Sequence, residues 1–324
     1  MDASRQLSPL FAGKFGTDFG IRLETLNSPA LLIGFMNSPR GSPSLRTLLV
    51  LGRVSNLPTV WSNCLAGWLI SGGGVFDQFF LLCAGTSLLY VGGMFLNDAF
   101  DIEFDRQHRS ERPIPSGAAS LRIVLQLGFC WLALGAICLS MLGRIPGMLG
   151  VLLAFLIIIY DAIHKMFVFA PIIMAACRFV LVLIASSAAL EGINGLSIWS
   201  ALVLACYIVG LSYLARKESA PGPLRYWPTL LLCLPLLLAV VVNQGTYQKR
   251  AAIIGAVVVL WIFRCLRFTY WHGSPNVGRT VSGLLAGIVL VDLLSSGGLD
   301  PTANLAFAVL FLTALLFQRM VPAT

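Results

Sequence analysis

The sequence predicts an all-α fold, a polytopic transmembrane helical bundle of nine or ten spans with a cytoplasmic N-terminus. The chain of 324 residues is 57% hydrophobic and only 11% charged, and its mean hydropathy is +0.85. Soluble domains carry about 25% charged residues, so this composition leaves too few polar groups to cover a globular surface. A bilayer accepts such side chains, provided that each segment hydrogen-bonds its own backbone. We therefore expect an integral membrane protein.

Ten apolar segments approach the roughly 20 residues that a spanning helix needs. They cover residues 45–71, 77–99, 120–142, 146–161, 168–190, 195–215, 226–242, 251–268, 279–295 and 303–318. With the N-terminus inside, seventeen of the 22 Lys and Arg residues fall on the cytoplasmic side, three on the opposite side and two within spans. This bias sets the orientation. It also explains the net charge of +8 without nucleic acid as a partner.

The first 44 residues differ from the rest of the chain, because they are rich in Ser, Gly and Pro with scattered charges. They lack the basic, apolar and small-residue order of a cleavable secretory signal. We interpret residues 1–44 as a flexible or disordered cytoplasmic leader and residues 45–320 as a single transmembrane domain. The eight cysteines lie in apolar stretches without CxxC spacing, so we expect neither a disulfide framework nor a zinc site.

The loop after the second segment is rich in oxygen-bearing side chains, namely Asn97, Asp98, Asp101 and Asp105. If the helix continues through this stretch, the three aspartates fall within about 100° of Asn97 and share one face. Such side chains suit Mg²⁺, which takes one or two carboxylates together with substrate phosphates. The alternative is a solvated helix end in which Asp105 pairs with Arg109 at the i,i+4 spacing.

The pattern Asn-Asp-x-x-Asp-x-x-x-Asp, followed by Arg-Pro-x-Pro-Ser-Gly at residues 112–117, resembles the first motif of the UbiA superfamily of intramembrane prenyltransferases. The layout of charged loops between apolar segments from about residue 45 onward is also similar to that of 4-hydroxybenzoate polyprenyltransferases. The resemblance implies that Mg²⁺ binds the diphosphate of a polyprenyl donor. It further implies transfer of the prenyl group to an aromatic or other lipophilic acceptor within the lipid bilayer.

The candidate site residues follow from this resemblance and from the intramembrane polar groups. A buried arginine such as Arg53 is costly in a bilayer unless it is paired or hydrated, which indicates either a substrate cavity or a structural polar contact. We expect catalytic roles for Asp98, Asp101, Asp105 and Lys165, metal ligation by Asn97, Asp101, Asp105 and Glu218, and substrate binding by Arg53, Asn56, Arg112, Arg178, Tyr213 and Lys217. A lysine that only extends to the membrane interface is the alternative for Lys165.

The end of the sixth segment departs from the family, which carries a second Asp-rich motif there. This chain has Tyr213 and Lys217 at the four-residue spacing, and Glu218 is the one carboxylate nearby. Three interpretations are open. Arg216 and Lys217 contact the diphosphate in place of a second metal ion, or the reaction has been lost or changed, or the basic pair only serves the positive-inside topology.

Two further charges and two other classes of function stay open at this point. Arg178 is either a second cavity residue or the partner of a buried acid such as Asp161, and we expect Asp292 at the membrane interface. The protein could retain the fold without catalysis and transport or handle a lipophilic metabolite. A CDP-alcohol phosphotransferase is less consistent with the sequence, because we do not find its Asp/Gly/Arg signature. We expect the bacterial inner membrane, with the active site on the cytoplasmic side.

Overall fold

The computed structural model describes residues 43–165, 167–219, 226–237, 248–271, 275–296 and 301–321. Within these ranges the chain forms helices and no strands, which confirms the predicted all-α class. Eight helices are long and apolar enough to cross a membrane. The predicted leader lies almost wholly outside the described residues, so its flexibility stays a prediction.

The first predicted span is a broken helix. Helix α1 (Leu45–Leu51) ends at Gly52, a 3-10 turn follows at Val54–Asn56, and helix α2 (Leu57–Ile70) completes the segment. The break divides the segment into pieces that are each too short for the eight-helix count. Pro58 suits the first turn of α2, because N–H groups in the first turn have no intrahelical acceptor and proline therefore costs no hydrogen bond there.

The remaining helices follow in chain order. They are α3 (Phe76–Phe100), α4 (Ile102–His108), α5 (Leu121–Met141), α6 (Arg144–Ile163), α7 (Ala170–Ser187), α8 (Gly195–Ser219), α9 (Trp227–Cys233), α10 (Gln248–Tyr270), α11 (Val277–Ser295) and α12 (Pro301–Met320). Among them only α4 and α9 are short. The seventh predicted span, 226–242, contains α9, and its residues from 238 onward lie outside the described ranges.

Helix α2 stands at the centre of the bundle, where it packs against α3, α7, α11 and α12. Small residues let these helices approach closely, as expected where lipid gives no hydrophobic drive for helix association. A Cβ atom on Gly67 of α2 would lie 2.7 Å from the Val182 carbonyl oxygen of α7. Helices α3 and α5 also approach closely at Gly92, because a Cβ there would lie 2.8 Å from the Gly128 carbonyl oxygen of α5.

The lipid-facing sides of the helices are apolar, and the central sides carry the polar groups. Helix α12, for example, exposes Leu305, Val309, Leu312 and Leu316, whereas α11 buries Thr280 and Asp292. Polar and ionisable side chains inside a membrane face the protein interior, because lipid offers them no hydrogen bonds. The bundle therefore concentrates its charges where the broken start of α2 and the ends of α3 and α6 meet.

Candidate active site

The break in the first helical segment positions Arg53 beside the acidic motif of residues 97–105. Arg53 has φ 42° and ψ 47°, the left-handed conformation, and no other described non-glycine residue has a positive φ. This conformation strains a residue with a Cβ and is typical of functional positions. The Arg53 guanidinium donates from Nη2 to Asp98 Oδ1 at 2.9 Å and to Asn97 Oδ1 at 3.2 Å. The strained turn thus positions the Arg53 guanidinium in contact with the acidic motif.

The acidic motif spans a shallow bend between α3 and α4. Asp101 lies between the two helices, and its backbone N–H still donates to the Asn97 carbonyl, as that of Asp105 donates to the Asp101 carbonyl. Because the helical hydrogen bonds continue, Asp98 and Asp105 lie on one side, where Arg112 Nη1 donates to both at 3.0 Å. The predicted shared face therefore exists, and its acids are buried.

The Arg-Pro-x-Pro-Ser-Gly loop holds Arg112 in this position. The loop folds back on itself, because the N–H of Ser116 donates to the Arg112 carbonyl and that of Ala119 donates to the Pro113 carbonyl. Ile114 is buried in a small apolar cluster with residues of α1, α3 and α5. Gly117, with φ 77°, reverses the chain in a conformation that glycine adopts without strain.

The loop after α6 brings two more basic groups to Asp101. Lys165 Nζ lies 2.7 Å from Asp101 Oδ1, and His164 Nε2 lies 3.3 Å from the same oxygen. The Lys165 ammonium also sits 4.0 Å from the centroid of the Phe104 ring, a cation–π contact. Lys165 therefore faces the acidic motif and is only partly exposed.

Asp161, near the end of α6, is a further acid of this cluster. It is 2% exposed, and its Oδ1 accepts a hydrogen bond from Asn97 Nδ2 at 3.1 Å. Asn97 is thereby oriented from both sides, since its Oδ1 accepts from Arg53. The cluster joins α3, α4, α6, the broken first segment and the loop after α4.

The two acids outside the spans respond differently to their surroundings. Burial alone would raise the pKa of Asp101, but contacts with His164 and Lys165 more than offset this and bring the pKa below its usual range. Burial raises the pKa of Asp105, and the charges of Asp101 and Asp98 add to this effect against the opposing charge of Arg112. Of these two acids, Asp101 is therefore the one whose surroundings favour the carboxylate form, since its pKa is lowered and that of Asp105 is raised.

The donor set is chemically suited to a hard divalent cation. Asp105 Oδ1 and Asp161 Oδ2 are buried and have no hydrogen-bond partner in the described part of the chain. Uncompensated buried oxygens of this kind are unfavourable unless a ligand completes them. Within the described ranges, no group of three or more His, Cys, Asp or Glu side chains could hold an ion by itself. Mg²⁺ would therefore need one or two of these carboxylates together with phosphate oxygens and water.

Arg178 belongs to a second polar network, deeper in the bundle. Its guanidinium donates to Asn63 Oδ1 at 2.7 Å and to the Thr59 hydroxyl and carbonyl oxygens. Asn63 Nδ2 donates to Asp292 Oδ2 at 2.7 Å, and the Ser62 hydroxyl donates to the same oxygen. The suggested pairing of Arg178 with Asp161 is wrong, since the Arg178 guanidinium donates to residues of α2 and forms no ion pair with Asp161 in the described structure. Asp292 is not at the interface either, because it is 3% exposed between α11 and α2.

Comparison with known proteins identifies the family. The sequence model of the UbiA prenyltransferase family matches residues 60–276, well over half of the chain. The chain belongs to the UbiA prenyltransferase family. The matched range includes the whole acidic motif, the Arg112 loop and the loop of Lys165, and it begins after Arg53 and Asn56.

Individual relatives give the same result over shorter stretches. A digeranylgeranylglyceryl phosphate synthase of Sulfolobus acidocaldarius is 33% identical over 119 residues, which are 36% of this chain and 42% of the relative. The corresponding protein of Ignicoccus hospitalis is 33% identical over 120 residues, or 37% of this chain and 39% of the relative. The chain thus spans about two fifths of the length of the curated relatives that it matches.

Two solved structures share the fold. A UbiA homologue from Aeropyrum pernix superposes with a TM-score of 0.61 and 15% identity, covering 76% of this chain and 97% of that one. A digeranylgeranylglyceryl phosphate synthase superposes with a TM-score of 0.55 and 20% identity, covering 84% of this chain and 99% of that one. At these identities the likeness establishes the UbiA fold.

The end of α8, where UbiA members carry their second acidic motif, has a different organisation in this chain. Arg216 Nη1 donates to the carbonyl oxygens of Phe167 and Val168, so it contacts the loop that carries Lys165. Tyr213 packs edge-on against Trp227 of α9, at 4.7 Å between ring centroids. Lys217 is partly buried, and the side chain of Glu218 lies outside the described part of the structure. The predicted roles of Tyr213, Lys217 and Glu218 stay predictions.

Most of the predicted site residues meet at one end of the bundle. They are Arg53, Asn97, Asp98, Asp101, Asp105, Arg112 and Lys165. Asn56 lies close by, where it contacts the Tyr90 hydroxyl. Arg178 lies apart from this group. Sequence reasoning missed Asp161 and His164 as site residues, although polar residues at the end of an apolar segment and beside a candidate lysine were available signals.

Proposed function

We propose that the protein catalyses Mg²⁺-dependent transfer of a prenyl group from an isoprenoid diphosphate to a small acceptor within the membrane. One observation carries this proposal. Buried acids with uncompensated oxygens and the cations Arg53, Arg112 and Lys165 converge where three parts of the bundle meet. Such an arrangement provides oxygen ligands for a divalent cation and positive charges for a diphosphate in the same place.

The cations have a direct role in this proposal. Arg53, Arg112 and Lys165 contact the acids of the motif, and they would turn to phosphate oxygens when those acids bind a divalent cation. Their guanidinium and ammonium groups would then oppose the negative charge that develops on the leaving diphosphate. Mg²⁺, when bound, would supply further neutralisation of this charge.

The bond changes are those of a substitution at an allylic carbon. The carbon–oxygen bond of the donor breaks, and the diphosphate leaves with the electron pair. The acceptor nucleophile forms the new bond to the allylic carbon and loses its proton. The apolar bundle around the site would keep water from capturing the reactive prenyl group.

The acceptor and the location are also part of the proposal. The curated relatives bear the name digeranylgeranylglyceryl phosphate synthase, which supports testing a glyceryl phosphate lipid beside the aromatic acceptors expected from the sequence. We infer a multi-pass protein of the cell membrane, with its active site on the cytoplasmic side, where we expect the basic loops. The relatives are archaeal, so they give no support to a bacterial inner membrane in particular.

The test is diphosphate release by the purified protein in detergent, with Mg²⁺ and prenyl diphosphates of increasing length. Mass spectrometry would detect prenylated products of an aromatic acid and of a glyceryl phosphate lipid. We expect Mg²⁺-dependent release that falls to background in Asp101→Asn. Folded wild-type protein that binds prenyl diphosphates but releases no diphosphate with any acceptor would instead support the non-catalytic, lipid-handling alternative.

A further inference from the structure

Asp161 differs from the other acids of the site in having no ion-pair partner within the described residues. Asp98 contacts Arg53 and Arg112, Asp105 contacts Arg112, and Asp101 contacts Lys165. Three paired acids thus face three permanent cations, and Asp161 is a fourth acid that contacts none of them.

The carboxylate of Asp161 has one used and one unused oxygen. Oδ1 accepts from Asn97 Nδ2 at 3.1 Å, whereas Oδ2 is buried without a hydrogen-bond partner in the described structure. A buried carboxyl oxygen without a bonding partner is unfavourable, and a cation bound to that oxygen would relieve this. The side chain is almost fully buried and bonds directly to a residue of the acidic motif.

The position of Asp161 suits a cation site shared between two helices. It lies on α6, whereas Asn97 and Asp98 end α3, so a cation between them would connect the two helices that carry the donor site. The contact from Asn97 Nδ2 also fixes the amide so that its Oδ1 faces Arg53. Asp161 and Asn97 therefore hold polar groups of two neighbouring helices at the same site.

We propose that Asp161, which lies on α6, is an additional ligand of the divalent cation that binds the donor diphosphate, and that its Oδ2 is the coordinating oxygen. The inference deepens the proposed function and rests on it. It differs from a purely orienting role, in which Asp161 would only hold the amide of Asn97.

The test measures Mn²⁺ binding, by the electron paramagnetic resonance signal of free Mn²⁺, in the presence of an unreactive prenyl S-thiolodiphosphate. Asp161→Asn keeps an acceptor oxygen for Asn97 but removes the charge. We expect its Mn²⁺ dissociation constant to rise about tenfold or more.

Asp292→Asn is the matched control, since Asp292 is an equally buried acid whose Oδ2 has two hydrogen-bond donors. It should lower the Tm and leave Mn²⁺ binding at the wild-type value. Equal Mn²⁺ affinity in wild type and Asp161→Asn would overturn the inference while leaving the proposed function intact. Equal weakening in both variants would also overturn it. A wild-type protein that binds no Mn²⁺ with the analogue would contradict the proposed function itself.

Discussion

The bundle contains two buried polar networks that use similar residues in opposite ways. In the deeper network, Arg178, Asn63 and Asp292 form a chain in which each side chain bonds the next, and Thr59 and Ser62 bond its two ends. At the end of the bundle with the acidic motif, the acids outnumber the permanent cations, and Asp105 and Asp161 each retain a buried oxygen without a partner in the described structure. Both networks are polar and buried, but only the second has free bonding capacity.

This difference separates structure from chemistry within one membrane protein. A fully satisfied network joins helices, because breaking it would leave charges in a medium that offers no replacement. An incompletely satisfied network is costly in the free protein and becomes stable when a ligand supplies the missing partners. We therefore expect substitutions in the deeper network to lower stability, and substitutions in the acid cluster to lower donor binding and turnover.

The largest effect should come from exchanging the acid that lies closest to Lys165. Asp101→Asn removes the carboxylate that the protein keeps ionised, so we expect diphosphate release to fall by about 100-fold or more. The rate of release at saturating prenyl diphosphate and Mg²⁺ measures this. Asp292→Asn, the same chemical change in the deeper network, should retain most of the activity of the folded fraction. Equal losses in the two variants would contradict the division between the networks.

The second prediction concerns stability. Asn63→Ala removes the side chain that links Arg178 to Asp292, and we expect the free energy of unfolding to fall by about 2–4 kcal/mol. Thermal unfolding in detergent without ligands would show this as a lower Tm. Asn304 on α12, which contacts Arg250 at a partly exposed site, offers a control. Asn304→Ala should change the Tm less than Asn63→Ala, and the reverse order would show that the deeper network does not stabilise the bundle.

A third, smaller effect should appear in donor affinity. Arg112→Ala removes the guanidinium that bonds both Asp98 and Asp105, so we expect the KM for prenyl diphosphate to rise about tenfold. Arg106→Ala is the matched control, because Arg106 forms an exposed pair with Glu103 nearby. Its KM should stay within about twofold of wild type. If both variants raise the KM equally, general basic charge and not the Arg112 contact attracts the donor.

The smallest expected effect lies at the modified end of α8. Arg216→Ala would free the Phe167 and Val168 carbonyls and loosen the loop of Lys165, so we expect an increase of about threefold in the donor KM. Arg216→Lys should restore part of the affinity, since an ammonium also donates to carbonyl oxygens. A loss of about 100-fold in Arg216→Ala would instead indicate direct contact of Arg216 with the diphosphate.

The sequence predicted the fold class and the acidic face because both depend on local periodicity. Helical hydrogen bonds continue through Asp101, so the 100° spacing places Asp98 and Asp105 on one side, as expected. The break before α2 was not predicted, because residues 45–71 were interpreted as one span although Arg53, Ser55 and Asn56 interrupt its apolar pattern. The contact of Asp161 with the acidic motif was not predicted, because its partner Asn97 is 64 residues away and meets it only through packing of α6 on α3. The position of Asp292 was mispredicted for the same reason, because its burial depends on the packing of α11 on α2.

The most direct test of the central claim is a thermal-shift experiment with an unreactive prenyl S-thiolodiphosphate, in Mg²⁺ and in EDTA. If the acid cluster binds cation and diphosphate together, the Tm of the wild-type protein should rise by about 5 °C at saturating analogue with Mg²⁺. Neither Mg²⁺ alone nor the analogue in EDTA should produce this shift. A shift of the same size in EDTA, or an undiminished shift in Asp101→Asn, would show that the donor binds elsewhere and would contradict the account.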